Sequence, residues 1–175
     1  MKSDYNTSTK SDKGGKNMER AEFYQAQQRF DRLYKEMDDL YHDLAVGLGL
    51  SDSALNVFCT IYTLGDGCLQ RDICQRSYTS KQTIHSSVQR LCAQGYLRME
   101  PGKGRDMHLY LTEAGRALME ERIRPVAEAE LRTFAALTAE EQEALLRLTE
   151  KYVRCLLHET ESLRHSKGKR KEKPL

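Results

Sequence analysis

The sequence predicts a mainly α-helical protein with one small β-hairpin, which is an α+β fold. Three observations lead to this prediction. Apolar residues recur at helical spacing before residue 50 and again after residue 112. Between these stretches, serine and glycine residues mark the two ends of short helices. A glycine-rich turn then separates two runs in which apolar and polar residues alternate, the pattern of half-buried strands.

The composition favours a single helical domain with appendages. The chain has 175 residues, of which 39% are hydrophobic and 31% charged, and this balance suits helices with long solvated faces. No run approaches the roughly 18 apolar residues of a membrane span. The five cysteines are odd in number and no apolar leader precedes them. We therefore expect a cytoplasmic protein with reduced thiols and no membrane partner.

Both ends of the chain are polar. Residues 1–16 carry almost no apolar side chains, and residues 164–175 are rich in lysine and arginine. Such segments bury too little apolar surface to offset the entropy of ordering, so we predict a flexible arm and a basic flexible tail. The tail is either merely solvated or adds phosphate contacts that do not read sequence. The ordered part is then predicted to span residues 21–163.

The first predicted helix has one apolar face. Its apolar residues recur at steps of three, four and seven and are Phe23, Phe30, Leu33, Met37, Leu40, Leu44 and Leu48. Gly47 and Gly49 are expected to end it. A second helix should begin after the cap Ser51, with Leu55, Phe58, Cys59 and Tyr62 facing inward.

Two more helices follow in close succession. Residues 69–76 predict a short helix with Ile73 as its core anchor. Ser80 is then expected to cap a helix that runs to Gln94, and Gly95 is placed to end it in the left-handed conformation. This helix has an apolar face of Ile84, Val88 and Leu91, and it contains no aspartate or glutamate.

The hairpin and two long helices complete the chain. Leu97, Met99, Leu109 and Leu111 alternate with polar residues, and residues 101–105 supply the turn. Thr112 should cap a helix that meets Pro125, where we expect a kink or break. Thr138 and Glu141 form a capping box that starts the last helix. Its predicted buried face consists of Leu145, Leu148, Tyr152 and Leu156.

Short helix, turn, polar-faced helix and hairpin together make a winged helix-turn-helix, predicted over residues 51–112. A DNA major groove, about 12 Å wide, admits one helix, and a helix without acidic residues on its outer face suits it. The candidate DNA-binding residues are Lys81, Gln82, Thr83, His85, Ser86, Gln89, Arg90, Lys103 and Arg105.

Position suggests a role for most of these residues. Gln82, Thr83, His85 and Ser86 lie in the first two turns, which come closest to base edges. Lys81 and Arg90 are interpreted as phosphate contacts. Lys103 and Arg105 lie at the hairpin tip, where arginine can enter a narrow minor groove. The competing interpretation of the tip is a solvated turn with two ordinary charges.

The chain resembles the MarR family of bacterial transcription regulators over roughly residues 21–163. The matching segments are TSKQTIHSSVQRLCAQGYL, the hairpin ending GRDMHLYLT and the following TEAGRAL. The resemblance implies an obligate homodimer on pseudo-palindromic double-stranded DNA, with dimerisation helices in residues 21–48 and 113–163. It also implies that Arg105 is the wing arginine. The family's wing carries an acidic residue two positions earlier, and Lys103 stands there.

The resemblance further implies a repressor that a small, often phenolic, effector releases from DNA. Tyr41, Phe58, Tyr62 and Leu111 could line such a ligand pocket, or they are simply core residues. The sequence identifies no effector, and we expect no resident cofactor.

Two alternatives stay open, and two others are set aside. A thiol-based redox sensor would use one of the five cysteines, although Cys59 and Cys155 sit at apolar helix positions. A winged helix can also serve protein–protein interaction without specific DNA contact. No histidine pair has the i, i+4 spacing of a helical zinc site, so we expect no metal site. An enzyme is not expected, because no phosphate-binding glycine loop, nucleophile elbow or paired-carboxylate motif occurs.

Overall fold

The structure, a computed structural model, describes residues 11–77 and 79–168, with side chains from residue 20 onward except residues 162 and 164–168. The elements in chain order are α1 (Ser11–Gly47), α2 (Asp52–Leu64), α3 (Gln70–Arg76), α4 (Lys81–Ala93), β1 (Leu97–Pro101), β2 (Met107–Leu111), α5 (Glu113–Leu118), a π-helical turn (Met119–Ile123), α6 (Arg124–Ala135) and α7 (Ala139–Gly168). The predicted α+β class, with a helical chain and one hairpin wing, is confirmed.

The predicted arm and tail are partly helical. Helix α1 begins at Ser11, inside the predicted arm of residues 1–16, and α7 continues to Gly168, inside the predicted tail of residues 164–175. A helical backbone does not itself measure flexibility, so the flexible arm and the flexible tail stay predictions. A nucleated helix extends into polar neighbours because each added residue gains a backbone hydrogen bond. Residues 1–10 and 169–175 lie outside the described residues.

The helix starts follow the predicted caps. The hydroxyl groups of Ser51, Ser80 and Thr112 each accept a hydrogen bond from the backbone N–H three residues later, at 3.0–3.3 Å. Thr138 and Glu141 make the two reciprocal bonds of a capping box, at 2.8 and 3.3 Å. Gly95 follows α4 with a φ of 79°. Each of these predictions is confirmed. The caps at the helix starts accept hydrogen bonds from amide groups that a helix leaves unpaired there.

The core lies where α2, α3 and α4 meet the hairpin. Its largest fully buried side chains are Phe58, Ile61, Ile73, Ile84, Leu91, Leu109, Ile123, Val57 and Val88. The predicted inward faces of α3 and α4 are thus confirmed. On α2, Leu55 and Phe58 are buried, whereas Cys59 and Tyr62 are half-buried at the edge of this core.

The hairpin is antiparallel, with Leu97 opposite Leu111 and Met99 opposite Leu109. A third extended segment, which the sequence did not predict, precedes α3. Gly67 donates its backbone N–H to Leu109 at 2.9 Å, and Leu109 donates to the Cys68 carbonyl at 2.9 Å. His108 Nδ1 also donates to the Gly67 carbonyl at 2.8 Å. The hairpin is therefore attached to the start of α3.

The expected break before Pro125 is present. Residues Met119–Ile123 form a π-helical turn, and α6 starts at Arg124. Proline has no N–H to donate, and its ring clashes with the carbonyl group four residues earlier. A regular α-helix is therefore interrupted at this point. Met119 and Ile123 belong to the core. The chain divides into two compact units, the first ending at Ile123 and the second beginning at Arg124.

The two long terminal helices expose apolar stripes. On α1, Phe23, Leu33, Met37 and Leu40 are 71%, 55%, 54% and 64% exposed. The predicted buried face of α7 is wrong for a single chain: Leu145, Leu148, Tyr152 and Leu156 are 39–54% exposed. Helical periodicity identifies an apolar face but not what covers it. Within the residues described, no single helix is both long enough and apolar enough to cross a membrane. The pair formed by α1 from Arg20 and α2 meets these length and composition limits only when the two are taken together, and the two helices are bent by 88° relative to each other.

Gly115→Ala should destabilise the fold. A Cβ at this position would lie 2.1 Å from the Tyr96 carbonyl oxygen, which is held in the backbone. Overpacking of this kind costs about 1–3 kcal/mol. Urea denaturation at a fixed protein concentration measures the loss. Gly47→Ala is the matched control, since nothing lies within 4 Å of its added Cβ. Equal stability of the Gly115→Ala variant and the wild type would contradict this packing.

Candidate nucleic-acid interface

Helix α4 separates its polar and apolar residues between two faces. Ile84, Ser87, Val88 and Leu91 are buried. The outer face exposes Lys81, Gln82, Thr83, His85, Ser86, Gln89 and Arg90. No acidic residue occurs between Ser80 and Gln94. The structure thus brings all seven α4 candidates to one solvent-facing surface that carries hydrogen-bonding groups and positive charge without a negative one.

Polar contacts join α2 to α4 and to the turn that precedes α4. The hydroxyl groups of Ser53 on α2 and Ser87 on α4 are 2.6 Å apart in a partly buried site. The Asn56 side-chain carbonyl accepts from the Ser77 hydroxyl at 2.8 Å, and that hydroxyl accepts from the Thr79 N–H at 3.1 Å. Buried polar groups specify one arrangement when each is paired. These contacts therefore fix the angle between α2 and the helix-turn-helix.

The exposed polar groups of α4 fall into two classes. Within the part of the chain that the structure describes, the side chains of Lys81, Gln82, Gln89 and Arg90 make no hydrogen bond or ion pair. Their donors and acceptors are available to a partner. Because glutamine offers both kinds of group, Gln82 and Gln89 can match the paired donor and acceptor of an adenine edge.

The other α4 candidates are already engaged. Thr83 Oγ1 lies 2.8 Å from the Ser80 hydroxyl. The Ser86 hydroxyl donates to the Gln82 backbone carbonyl at 3.0 Å, so its proton is not free for a base. His85 Nδ1 is 3.1 Å from Nε2 of Gln70 on α3. Of the four residues interpreted as base readers, Gln82 is free, and His85 is held by another side chain.

The hairpin tip carries two exposed cations. Gly102 donates its N–H to the Asp106 carbonyl at 2.8 Å, and Asp106 donates to the Lys103 carbonyl at 3.2 Å. Gly104 adopts a φ of 65°, a region that favours glycine. Lys103 and Arg105 are exposed, and neither side chain has a partner among the described residues. The tight turn therefore presents both positive charges outward.

An ion pair that sequence reasoning missed joins this wing to α3. Arg71 Nη1 donates to both carboxylate oxygens of Asp106, at 2.8 and 3.1 Å. Asp106 directly follows Arg105, so this ion pair attaches the tip of the wing to α3. At the other end of β2, Asp66 accepts from the Leu111 N–H at 2.7 Å. Pairs this far apart in sequence leave no periodic signal.

The four ligand-pocket candidates occupy different environments. Phe58 is fully buried and Leu111 is 6% exposed. Tyr62 is half-buried against the same core, whereas Tyr41 on α1 is 45% exposed. Phe58 also makes an edge-to-face contact with Tyr96 at a centroid distance of 6.3 Å. Two of the four thus serve the core of this state, and the pocket stays a prediction. Among the described residues, no group of three or more potential metal-binding side chains comes together.

Residues 48–106 match the sequence profile of the MarR family. A solved structure with the same fold is a MarR-family transcriptional regulator from Silicibacter pomeroyi, with 26% identity and a TM-score of 0.55 over 73% of this chain and 87% of that one. The segment that matches the family profile covers the helix-turn-helix and the wing up to Asp106. No protein of curated function matches the chain.

Two other similar structures are described by what they bind. One is BpsR of Bordetella bronchiseptica, whose DNA binding is regulated by 6-hydroxynicotinic acid; it has 23% identity and a TM-score of 0.56 over 74% of this chain and 98% of that one. The other is MepR of S. aureus in complex with DNA, with 19% identity and a TM-score of 0.58 over 74% and 96%. Both show the same fold as this chain.

Two half-buried thiols near the helix-turn-helix, those of Cys68 and Cys92, have pKa values that burial raises. Burial raises the pKa of the Cys68 thiol to about 11, with smaller contributions from Asp72 and Asp66. Burial likewise raises the pKa of the Cys92 thiol. The thiolate is the reactive form of cysteine. Neither thiol is therefore activated for the redox chemistry that the sequence left open.

Cys68 should be alkylated slowly in the folded protein. At pH 8 a pKa of about 11 leaves far less thiolate than the ordinary thiol pKa does. We expect iodoacetamide to modify Cys68 at least about tenfold more slowly in native protein than in 8 M urea. Mass spectrometry of peptides from a time course measures both rates, and the unfolded chain serves as the control. Equal rates would show that Cys68 is not shielded.

Proposed function

We propose that the chain is a sequence-specific, double-stranded DNA-binding transcriptional regulator, because residues 48–106 match the MarR-family profile and the fold is that of a MarR-family regulator. The family consists of transcriptional regulators and not of enzymes. The observation that carries this proposal is the outer face of α4, where free amide and cationic groups lie without an acidic residue. Lys103 and Arg105 at the wing tip add two exposed cations.

The groups on this surface support a division of roles. Gln82 is the free reader of base edges, and Thr83, His85, Ser86 and Gln89 complete the reading face. Lys81 and Arg90 have no partner among the described residues and carry full charges, which suits phosphate contacts. Lys103 and Arg105 are assigned to the minor groove beside the helix, where the negative potential is enhanced.

We propose further that two copies act together. The apolar stripes of α1 and α7 are exposed in the single chain, and contiguous apolar surfaces of this kind mark interaction sites. A second copy of the chain is the occupant that the family resemblance implies. A twofold dimer presents two winged helices in opposite orientations, and its operator is then an inverted repeat.

The proposal also includes the sign of regulation, which is repression, and the signal, which is a small aromatic effector. BpsR responds to a small aromatic acid, which supports a repressor in the bacterial cytoplasm that an aromatic effector releases. Tyr41, Phe58, Tyr62 and Leu111 are the proposed contacts. Since Phe58 and Leu111 are buried, an effector at this site must open the edge of the core. Such a ligand would thereby act on the packing that holds α2.

Selection from a randomised duplex library tests the core of the proposal. Full-length protein should enrich an inverted repeat whose half-sites lie about one helical turn, 10 base pairs, apart. Affinity for the enriched duplex should fall steeply between 50 and 200 mM salt, because phosphate contacts release counterions. Lack of any enriched sequence, together with a flat salt dependence, would reject DNA binding and favour a protein-interaction module.

Arg105→Ala should weaken binding to the selected duplex by about tenfold or more while leaving the thermal midpoint unchanged. The side chain is exposed and makes no hydrogen bond or ion pair with the described residues, so its loss removes the proposed DNA contact without breaking an internal polar one. Fluorescence anisotropy measures the affinity. Arg147→Ala, which alters an exposed arginine on α7, is the control. Wild-type affinity of the Arg105→Ala variant would remove the wing from the interface.

A further inference from the structure

One side-chain contact ties the reading face of α4 to the preceding helix. Gln70, the first residue of α3, is half-buried, and its Nε2 lies 3.1 Å from Nδ1 of His85 in the second turn of α4. Gln75 lies on the same helix and is exposed, without a side-chain partner among the described residues. Among the described residues, His85 is thus the α4 candidate whose side chain is hydrogen-bonded to a residue of another helix.

The hydrogen bond from Gln70 determines which nitrogen of the His85 ring carries the proton. In the amide orientation that the structure gives Gln70, its N–H₂ group faces the ring and donates, so Nδ1 of His85 accepts with its lone pair. A neutral imidazole carries a single proton, which then resides on Nε2. Nε2 lies on the ring edge away from Nδ1 and remains available as a donor. An unheld imidazole could exchange tautomers and offer either a donor or an acceptor to a base.

We propose that Gln70 is a positioning residue that makes His85 a dedicated hydrogen-bond donor to an acceptor on a base edge. This inference rests on the proposed function, because it assigns a base contact to one residue of the DNA-reading face. In the major groove guanine N7 and O6, adenine N7 and thymine O4 are acceptors, whereas cytosine presents a donor. A single fixed N–H group therefore selects against cytosine at that base pair.

Holding the ring also favours affinity. A histidine fixed before binding loses less rotamer freedom when it meets DNA than a mobile one does. The neighbouring hydroxyl groups of Thr83 and Ser86 are bonded within the capping turn and the α4 backbone, so they do not compete for Gln70. The contact joins two helices that the core already holds together through Ile73 and Ile84.

Base preference, position by position, tests the proposal. The library selection is repeated at pH 8, where histidine side chains are ordinarily neutral, with wild type, His85→Ala, Gln70→Met and the double variant. Methionine keeps the length of glutamine but removes the amide. Gln75→Met is the matched control on the same helix. Thermal midpoints and affinity for a non-specific duplex show whether each variant keeps its fold and its phosphate contacts.

His85→Ala should lower the discrimination against cytosine at one base pair per half-site by about tenfold. Gln70→Met should lower discrimination at that same base pair, the double variant should match His85→Ala, and Gln75→Met should match the wild type. A wild-type preference in Gln70→Met would overturn the proposal, as would a change at a different base pair. If the wild type itself selects no sequence, the proposed function fails first, and this distinguishes the two failures.

Discussion

Burial of one face of α4 is the constraint on which the rest of the structure depends. Ile84, Val88 and Leu91 are 0–1% exposed and belong to the core shared by α2, α3 and the hairpin. In a helix, residues three and four apart lie on one face, so fixing these three side chains inward forces the polar residues between them outward. The reading face is thus a geometric consequence of the core. Its chemistry is set separately, by the lack of acidic residues on that outer face.

The features that could be predicted from the sequence are those decided by neighbours in the chain. The caps at Ser51, Ser80 and Thr112 form because a hydroxyl group meets an amide three residues away. The left-handed Gly95 and the break before Pro125 follow equally from local backbone limits. The exposure of the α4 candidates was predictable for the same reason, since a single helical period decides it.

The features that could not be predicted depend on distant residues or on partners. Arg71 and Asp106 are 35 positions apart, and Gln70 and His85 are 15 apart; their contacts exist only once α3 lies across α4 and the wing. The error at α7 has another origin. Leu148 and Leu156 have the spacing of a buried face but are 54% and 50% exposed, because periodicity does not say whether the covering surface belongs to the same chain.

Both long-range contacts start from the first turn of α3. Gln70 contacts His85 on α4, and the next residue, Arg71, pairs with Asp106 in the wing. Ile73, three residues after Gln70, is fully buried in the core. The same short helix thus contacts both of the elements that carry the candidate DNA contacts, in addition to the direct packing of those elements in the core. A shift of α3 against the core would disturb the Gln70–His85 contact and the Arg71–Asp106 ion pair together.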